Sequence, residues 1–380
     1  MKILITTDLY EPLINGVVTS VVNLKNALTA LGHDVRVLTL SQSIHTHNEP
    51  SVTKLGSLSL KIIYPGARLR LGSNKDILPE IEEWRPDIIH SQCEFNSFIP
   101  ARYISKKYNI PLIHTYHTVY EDYTHYFSLS KNMGKLAVKH FSRFISKKCD
   151  CIITPTEKVR ELLHSYNVAC PVEVVPTGIV LDKFSSPITE ERKEEIKNKY
   201  NIPQSNKIAI FIGRLAKEKN ISEILKYWKN IDQSKWSLVI VGDGPYRGEL
   251  ERECRQYSIN KNVFFTGMVS PKQIQDYYKI GDVFVSASTS ETQGLTYIEA
   301  LACGLPLLCK KDRCLDGILK TEYNGYAFMG EYDFAEAMDS FYKSGPALEN
   351  WQRNAKMSSM EFGTEVFARR VERIYNNFLR

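Results

Sequence analysis

SSPITEERKEEIKNKYNIPQSNKIAIFIGRLAKEKN, residues 185–220, decides how the chain is divided. Its first part is polar and charged as far as Asn206, and at Lys207 it turns into the apolar run KIAIFI. A strand that starts after such a segment begins a second core. The chain has 380 residues, more than one ordinary core serves. The boundary is therefore placed near residue 186, giving domains over 1–185 and 186–360.

The same rhythm runs on both sides of that boundary. Before it, KILITT, DVRVLTL, PDIIHSQ, PLIHTYHT, DCIITPT and VEVVPTG read as strands, separated by helical stretches such as VVTSVVNLKNALTALG. After it, KIAIFIGRL, WSLVIVGDG, NVFFTG, DVFVSAS and LPLLCK repeat the pattern. Strands alternating with helices predict α/β domains with doubly wound, mainly parallel sheets. Such sheets bind ligands beyond the carboxyl ends of their strands. The N-terminal MKILITTDLY reads as the first strand of the series and not as a signal peptide. EFGTEVFARRVERIYNNFLR, residues 361–380, reads as one amphipathic helix.

Composition excludes several classes. A hydrophobic fraction of 43% with 24% charged residues belongs to a globular chain. No apolar run approaches the roughly 20 residues of a membrane-spanning helix. A net charge of +6 is too modest to imply nucleic acid. Eight cysteines show no pairable spacing and read as reduced thiols. His45 and His47 have no carboxylate or cysteine at ligand spacing, so no metal site is expected.

The chemistry falls in strand-to-helix loops. The loop DLYEPLINGVVTS puts Gly16 at a helix start, with Asn15 or Thr19 available as cap. It lacks the three-glycine fingerprint of a nicotinamide site, which demotes an oxidoreductase reading. In IFIGRLAKEKN, Gly213 leaves the backbone accessible, while Arg214 and Lys219 can neutralise a diphosphate. VGDGP is a tight turn, and NVFFTGMVS brings Gly267 and Met268 to a strand end. In SETQGLTYIEALACGLP, residues 290–306, Gly294, Leu295 and Thr296 open a helix whose free N–H groups suit phosphate. A solvated surface pair is the plainer reading of Glu291 and Glu299. Their place on either side of that helix start favours hydroxyl binding, and a nucleotide-sugar diphosphate offers both kinds of group.

GRLAKEKN, VGDGP and the E-x(7)-E segment Glu291–Glu299 with its ALACGLP tail occur in order, and with them the chain resembles the retaining, nucleotide-sugar-dependent glycosyltransferases of family 4. The resemblance covers nearly the whole chain. It implies the GT-B fold: two Rossmann-like domains facing across a cleft, with the helix 361–380 returning to the first. It implies that Arg214 and Lys219 hold the donor diphosphate, that Gly213, Gly294, Leu295 and Thr296 approach phosphate, and that Glu299 binds the ribose. Glu291 falls to the transferred sugar, Met268 to the uracil, His117 to the active site near the sugar, and Gly16 to the acceptor-side loop. No bound metal or other cofactor is implied. Gln293 departs from a position often held by phenylalanine, and Asn15-Gly16 from a frequent glycine pair.

SETQGLTYIEA, NGVVTSVVNL and HTYHTVYEDYTHY resemble most the bacterial diacylglycerol glucosyltransferases. The implied reaction moves glucose, or galactose, from a UDP-sugar to diacylglycerol with retention of the α configuration. The same chemistry on an already glycosylated lipid, a polyprenyl-linked glycan or a soluble glycan is the alternative, and a non-catalytic nucleotide-sugar sensor a more distant one. The segment 131–148 supports a lipid partner independently. Lys131, Lys135, Lys139, Arg143, Lys147 and Lys148 flank an apolar stripe of Met133, Leu136, Ala137, Phe141, Phe144 and Ile145, with no acidic residue. That pattern suits an anionic membrane surface, extended by Arg68, Arg70 and Lys75, with the tyrosines of VYEDYTHY at an acceptor entrance. The expected location is the cytoplasmic face of the cell membrane.

Overall fold

A computed structural model describes residues 1–60, 68–73, 77–121, 131–345 and 348–379. The chain forms two compact units, Met1–Ile179 with Thr364–Arg380, and Val180–Gly363. The division at 179/180 is earlier than the sequence reading placed it. Residues Leu181–Ser185 form a short helix whose buried Phe184 packs edge-on against Tyr278 of the second unit, ring centroids 6.1 Å apart. The charged segment that follows is part of that unit too. Thr189 caps helix Glu190–Lys199, its Oγ1 accepting from the Arg192 N–H at 3.2 Å, and Ile196 is the helix's buried anchor. At the far end the division lies at 363/364.

The first unit holds β1 (Lys2–Thr6), β2 (Asp34–Leu40), β3 (His47–Glu49), β4 (Val52–Leu55), β5 (Ser57–Ser59), β6 (Arg68–Arg70), β7 (Ile88–Ser91), β8 (Leu112–Thr115), β9 (Cys151–Thr154) and β10 (Val172–Val174). Its main sheet has the order β10-β9-β8-β7-β1-β2-β4-β3, parallel except for the antiparallel edge pair β3–β4. β5 and β6 make a separate antiparallel pair. Short, polar β3 and β5 carry no alternating apolar pattern and so leave no strand signal in the residues. The order reverses between β1 and β7, so β1 and β7 flank the switch point of this sheet.

The second unit holds β11 (Lys207–Ile212), β12 (Trp236–Val241), β13 (Val263–Gly267), β14 (Val283–Ser286), β15 (Leu307–Lys310) and β16 (Gly325–Phe328). They form one parallel sheet, β13-β12-β11-β14-β15-β16, with its switch point between β11 and β14. The central strands are buried on both faces, as near-continuous runs such as WSLVIV require.

Helix Thr364–Phe378 belongs to the first unit. Phe367, Val371, Ile374 and Tyr375 recur at helical spacing and are buried in the core formed by β1, β2 and helix Gly16–Ala30. Each such side chain contributes about 1.5–3 kcal/mol on burial. The buried Tyr375 hydroxyl also meets His90 Nδ1 of β7 at 2.6 Å, while His90 Nε2 meets Thr115 Oγ1 of β8 at 2.7 Å. Polar groups inside this core are thus paired across three elements.

Candidate functional site

In the second unit the two loops leaving the switch-point strands carry the expected donor-site side chains. After β11, the backbone of Gly213–Leu215 runs against the VGDG turn: the Gly213 N–H donates to Val241 O at 3.0 Å and the Leu215 N–H to Asp243 O at 3.0 Å. Gly242, at φ +128°, has no room for a Cβ because the Gly213 carbonyl lies there. Its glycine is therefore required by packing. Arg214 is exposed, and Lys217–Lys219 form a short 3-10 turn that ends on Asn220 in the left-handed conformation.

From β14, the loop through Glu291 comes back to that turn. Lys219 Nζ donates to Glu291 Oε1 at 2.6 Å, both side chains being largely covered, and Ser290 Oγ donates to the Glu218 carbonyl at 3.1 Å. The ion pair removes a difficulty in the sequence reading, since a bare carboxylate beside a diphosphate is repelled. Gly294, at φ +73°, then starts helix Leu295–Ala302. A Cβ there would meet the Tyr297 ring at 2.5 Å, so the left-handed turn and the close ring both demand glycine. The helix has no acidic residue in its first turn, where a helix carries its positive end. Gln293, beside Gly294, is buried.

Glu299 lies one turn into this helix. Its Oε2 accepts from the Tyr278 hydroxyl at 2.7 Å. Burial raises its pKa, opposed by the Tyr278 hydrogen bond and the Lys183 charge. Met268, after Gly267, is strongly exposed at 79%.

Beneath the Lys219 turn is a cluster that the sequence did not announce. Glu223 accepts from Lys310 Nζ at 2.5 Å, Asn220 Nδ2 at 2.5 Å and the Tyr227 hydroxyl at 2.8 Å. It ties the turn to β15. The carboxylate's burial is outweighed by these donors, so its pKa is lowered.

In the first unit, the loop after β1 ends at Asn15, whose Oδ1 accepts from the Val18 N–H at 3.0 Å and caps helix Gly16–Ala30. Gly16 is exposed at its first position. His117 follows β8, and its Nε2 meets Gln92 Oε1, just beyond β7, at 2.7 Å. Burial pushes the imidazole down to about 4, with Glu94 pulling it up and His114 pushing it further down. Glu94 was missed by sequence reasoning. It is 7% exposed, with Oε1 3.2 Å from His114 Nε2 and Oε2 accepting from the Tyr120 hydroxyl at 2.5 Å. Gln92 Nε2 and His114 Nδ1 are buried without a partner among the described residues.

The basic helix Lys131–Ser146 departs from the expected stripe. Val138 and Ile145 are its core-facing anchors, at 4% and 2% exposure, with Phe141 half-buried against Phe95 at 5.7 Å. Met133, Leu136, Ala137, His140 and Phe144 are exposed along one line of the helix, and Phe95 and Ile99 are exposed as well. Lys139 and Arg143 are half-buried and Lys147 is exposed. Lys135 pairs with Glu121 at 2.9 Å, so the acid-free segment borrows a counter-charge from the preceding loop. Lys148 lies 3.1 Å over the Phe144 ring, and its pKa is lowered by burial and then by Arg102. Arg68 and Arg70 bind uncharged oxygens of Ser57 and Ser73 in and beside the β5–β6 pair, which leaves their charges in place. Lys75, Tyr123, Tyr126 and the side chain of Lys131 lie outside the described residues. Among the described residues no helix is long and apolar enough to cross a membrane, and no group of three or more His, Cys, Asp or Glu side chains is placed to hold a metal. All eight cysteines are free.

Two doubly wound units, one with cations, carboxylates and a helix start gathered at its switch point, fit the architecture of a GT-B glycosyltransferase. Residues 14–183 match the family described as Glycosyltransferase Family 4, and residues 192–358 that described as Glycosyl transferases group 1. The chain belongs to these GT-B glycosyltransferases and is a hexosyltransferase. It is 34% identical over its full length to the α-monoglucosyldiacylglycerol synthase of Streptococcus pneumoniae, covering 87% of that protein. To the enzyme of the same name from Acholeplasma laidlawii it is 33% identical, over 99% of this chain and 96% of that one. Among solved structures, Anabaena HepE with UDP and glucose superposes with a TM-score of 0.77 at 14% identity, over 99% of this chain and 100% of that one. At that identity the likeness is one of fold alone.

Proposed function

We propose that the protein moves a hexose, glucose in the first instance, from a UDP-sugar to the free hydroxyl of diacylglycerol, forming an α-glycosyl-diacylglycerol. The observation that carries the donor half is the meeting of Lys219 and Glu291 at 2.6 Å beside the Gly294 helix start, at the switch point of the second sheet. Arg214, Lys219 and the N–H groups of Leu295 and Thr296 take the diphosphate. Lys219 stays beside Glu291 as it reaches a phosphate oxygen, and the carboxylate so neutralised accepts from the sugar hydroxyls. Glu299 accepts from the ribose, Gly213 lets the diphosphate approach the backbone, and Met268 covers the uracil. Charge grows on the departing diphosphate as its bond to C1 breaks, so these cations supply the main catalytic stabilisation. The acceptor oxygen bonds to C1 on the same face, and its proton leaves with the diphosphate oxygen, which retains the configuration. His117, neutral at working pH, offers a hydrogen bond to the sugar, and Gly16 opens the acceptor-side loop. No bound metal enters the scheme.

The acceptor half is supported by the names of the two full-length relatives and by the exposed apolar line Met133, Leu136, Phe144 with its basic flank. That surface supports a peripheral seat on an anionic membrane face, which this reading puts on the cytoplasmic side. Purified protein, given radiolabelled UDP-glucose or UDP-galactose with diacylglycerol in anionic vesicles and EDTA, is expected to place label in the organic phase as a monoglycosyl lipid. Label confined to water-soluble products, or appearing only with a pre-glycosylated lipid, would overturn the acceptor assignment.

A further inference from the structure

Tyr278 stands outside every motif, on the short helix Ile274–Lys279. It is fully buried, its ring edge-on to Phe184 at 6.1 Å and nearly parallel to Phe284 at 6.2 Å. A phenol enclosed in this way needs a partner for its hydroxyl. The partner is Oε2 of Glu299, at 2.7 Å. Among the described residues no other group donates to that carboxylate, so Oε1 is left for a ligand. A glutamate side chain is free to turn about three bonds, and a donor on an immobile ring settles it before the ligand arrives.

We propose that Tyr278 is a positioning residue of the donor site, its hydroxyl presetting the Glu299 carboxylate to accept the vicinal ribose hydroxyls of the nucleotide. This rests on the reading of Glu299 as the ribose ligand. The ribose is remote from the bond that breaks, so the contact is made equally in the ground and transition states. Losing it raises KM for the donor and leaves kcat unchanged.

The test is calorimetric binding of UDP and 2′,3′-dideoxy-UDP to the full chain and to Tyr278→Phe, which keeps the ring packing. The wild type is expected to bind UDP about tenfold more tightly than 2′,3′-dideoxy-UDP. In Tyr278→Phe, UDP binding weakens by about five- to tenfold while 2′,3′-dideoxy-UDP changes by less than about twofold, and transfer from UDP-glucose shows the same rise in KM at constant kcat. Equal weakening for both nucleotides, or none for either, overturns the proposal. A wild type that binds the two alike overturns the ribose assignment of Glu299 and the role of Tyr278 together. Should Tyr278→Phe fail to fold, Glu299→Asp, whose shorter carboxylate draws back from the Tyr278 hydroxyl, is read by the same comparison.

Discussion

Acidification from about pH 7.5 to about pH 5.0 is expected to destabilise the first unit through His117. Burial pushes its imidazole down to about 4, against the partial support of Glu94. In the unfolded chain the ring titrates near its ordinary value of about 6.5. Between those values the unfolded state binds a proton that the folded state refuses, so stability rises with pH. The contribution is therefore complete above the unfolded value and is lost as pH falls toward the folded one. Integration gives roughly 2 kcal/mol lost by pH 5.0, and about 3.4 kcal/mol once both states are protonated. His90, fully buried and shifted in the same direction, adds to the slope, so the wild type alone does not isolate His117. The assay compares urea unfolding of the wild type and His117→Gln at the two pH values. Glutamine cannot titrate and can still bond the Gln92 amide, so the variant's pH dependence should be shallower by about 2 kcal/mol. Equal pH dependence in both proteins, or a directly titrated His117 at about 6 or above, would refute the reasoning.

Replacing Lys219 or Arg214 by alanine should lower turnover by about a hundredfold or more; the unfolding midpoint should hardly move for the exposed Arg214, whereas Lys219→Ala leaves the covered Glu291 carboxylate unpaired and should cost about 1–3 kcal/mol. Near-wild-type kinetics in either variant would sink the diphosphate assignment. Gly294→Ala places a methyl against Tyr297 and a side chain at positive φ, and should cost about 1–3 kcal/mol of stability along with UDP binding, read by thermal unfolding and calorimetry. Leu136→Glu with Phe144→Glu should abolish sedimentation with anionic vesicles while UDP affinity stays as in the wild type. Undiminished vesicle binding would remove this helix from the membrane surface.

What could be read from the sequence follows from how each residue acts. Gly294, Leu295 and Thr296 form a strand-to-helix turn, and such a turn leaves its mark in consecutive residues. Arg214 and Lys219 are legible for the same reason, since loop position alone brings them to the sheet's carboxyl edge. Glu94, Glu223, Tyr278 and Lys310 act through side-chain pairs made across strands and helices far apart in the chain. Tyr278 and Glu299 illustrate the difference. Neither spacing nor periodicity relates them, and a tyrosine in a short mixed helix reads as packing until its hydroxyl is seen on a carboxylate.

The basic helix fails differently. Its apolar residues were legible, but one stripe cannot reveal which of its members meet the core and which meet solvent. Val138 and Ile145 answer to the strands beneath, so Met133, Leu136 and Phe144 are turned outward. An apolar line left exposed beside half-covered cations is costly for a surface that meets only water. The cost is offset where the cations meet anionic headgroups and the apolar side chains enter the lipid between them. Charge and exposure on this helix thus support the membrane partner we propose, although the apolar stripe alone does not separate a docking face from a core face.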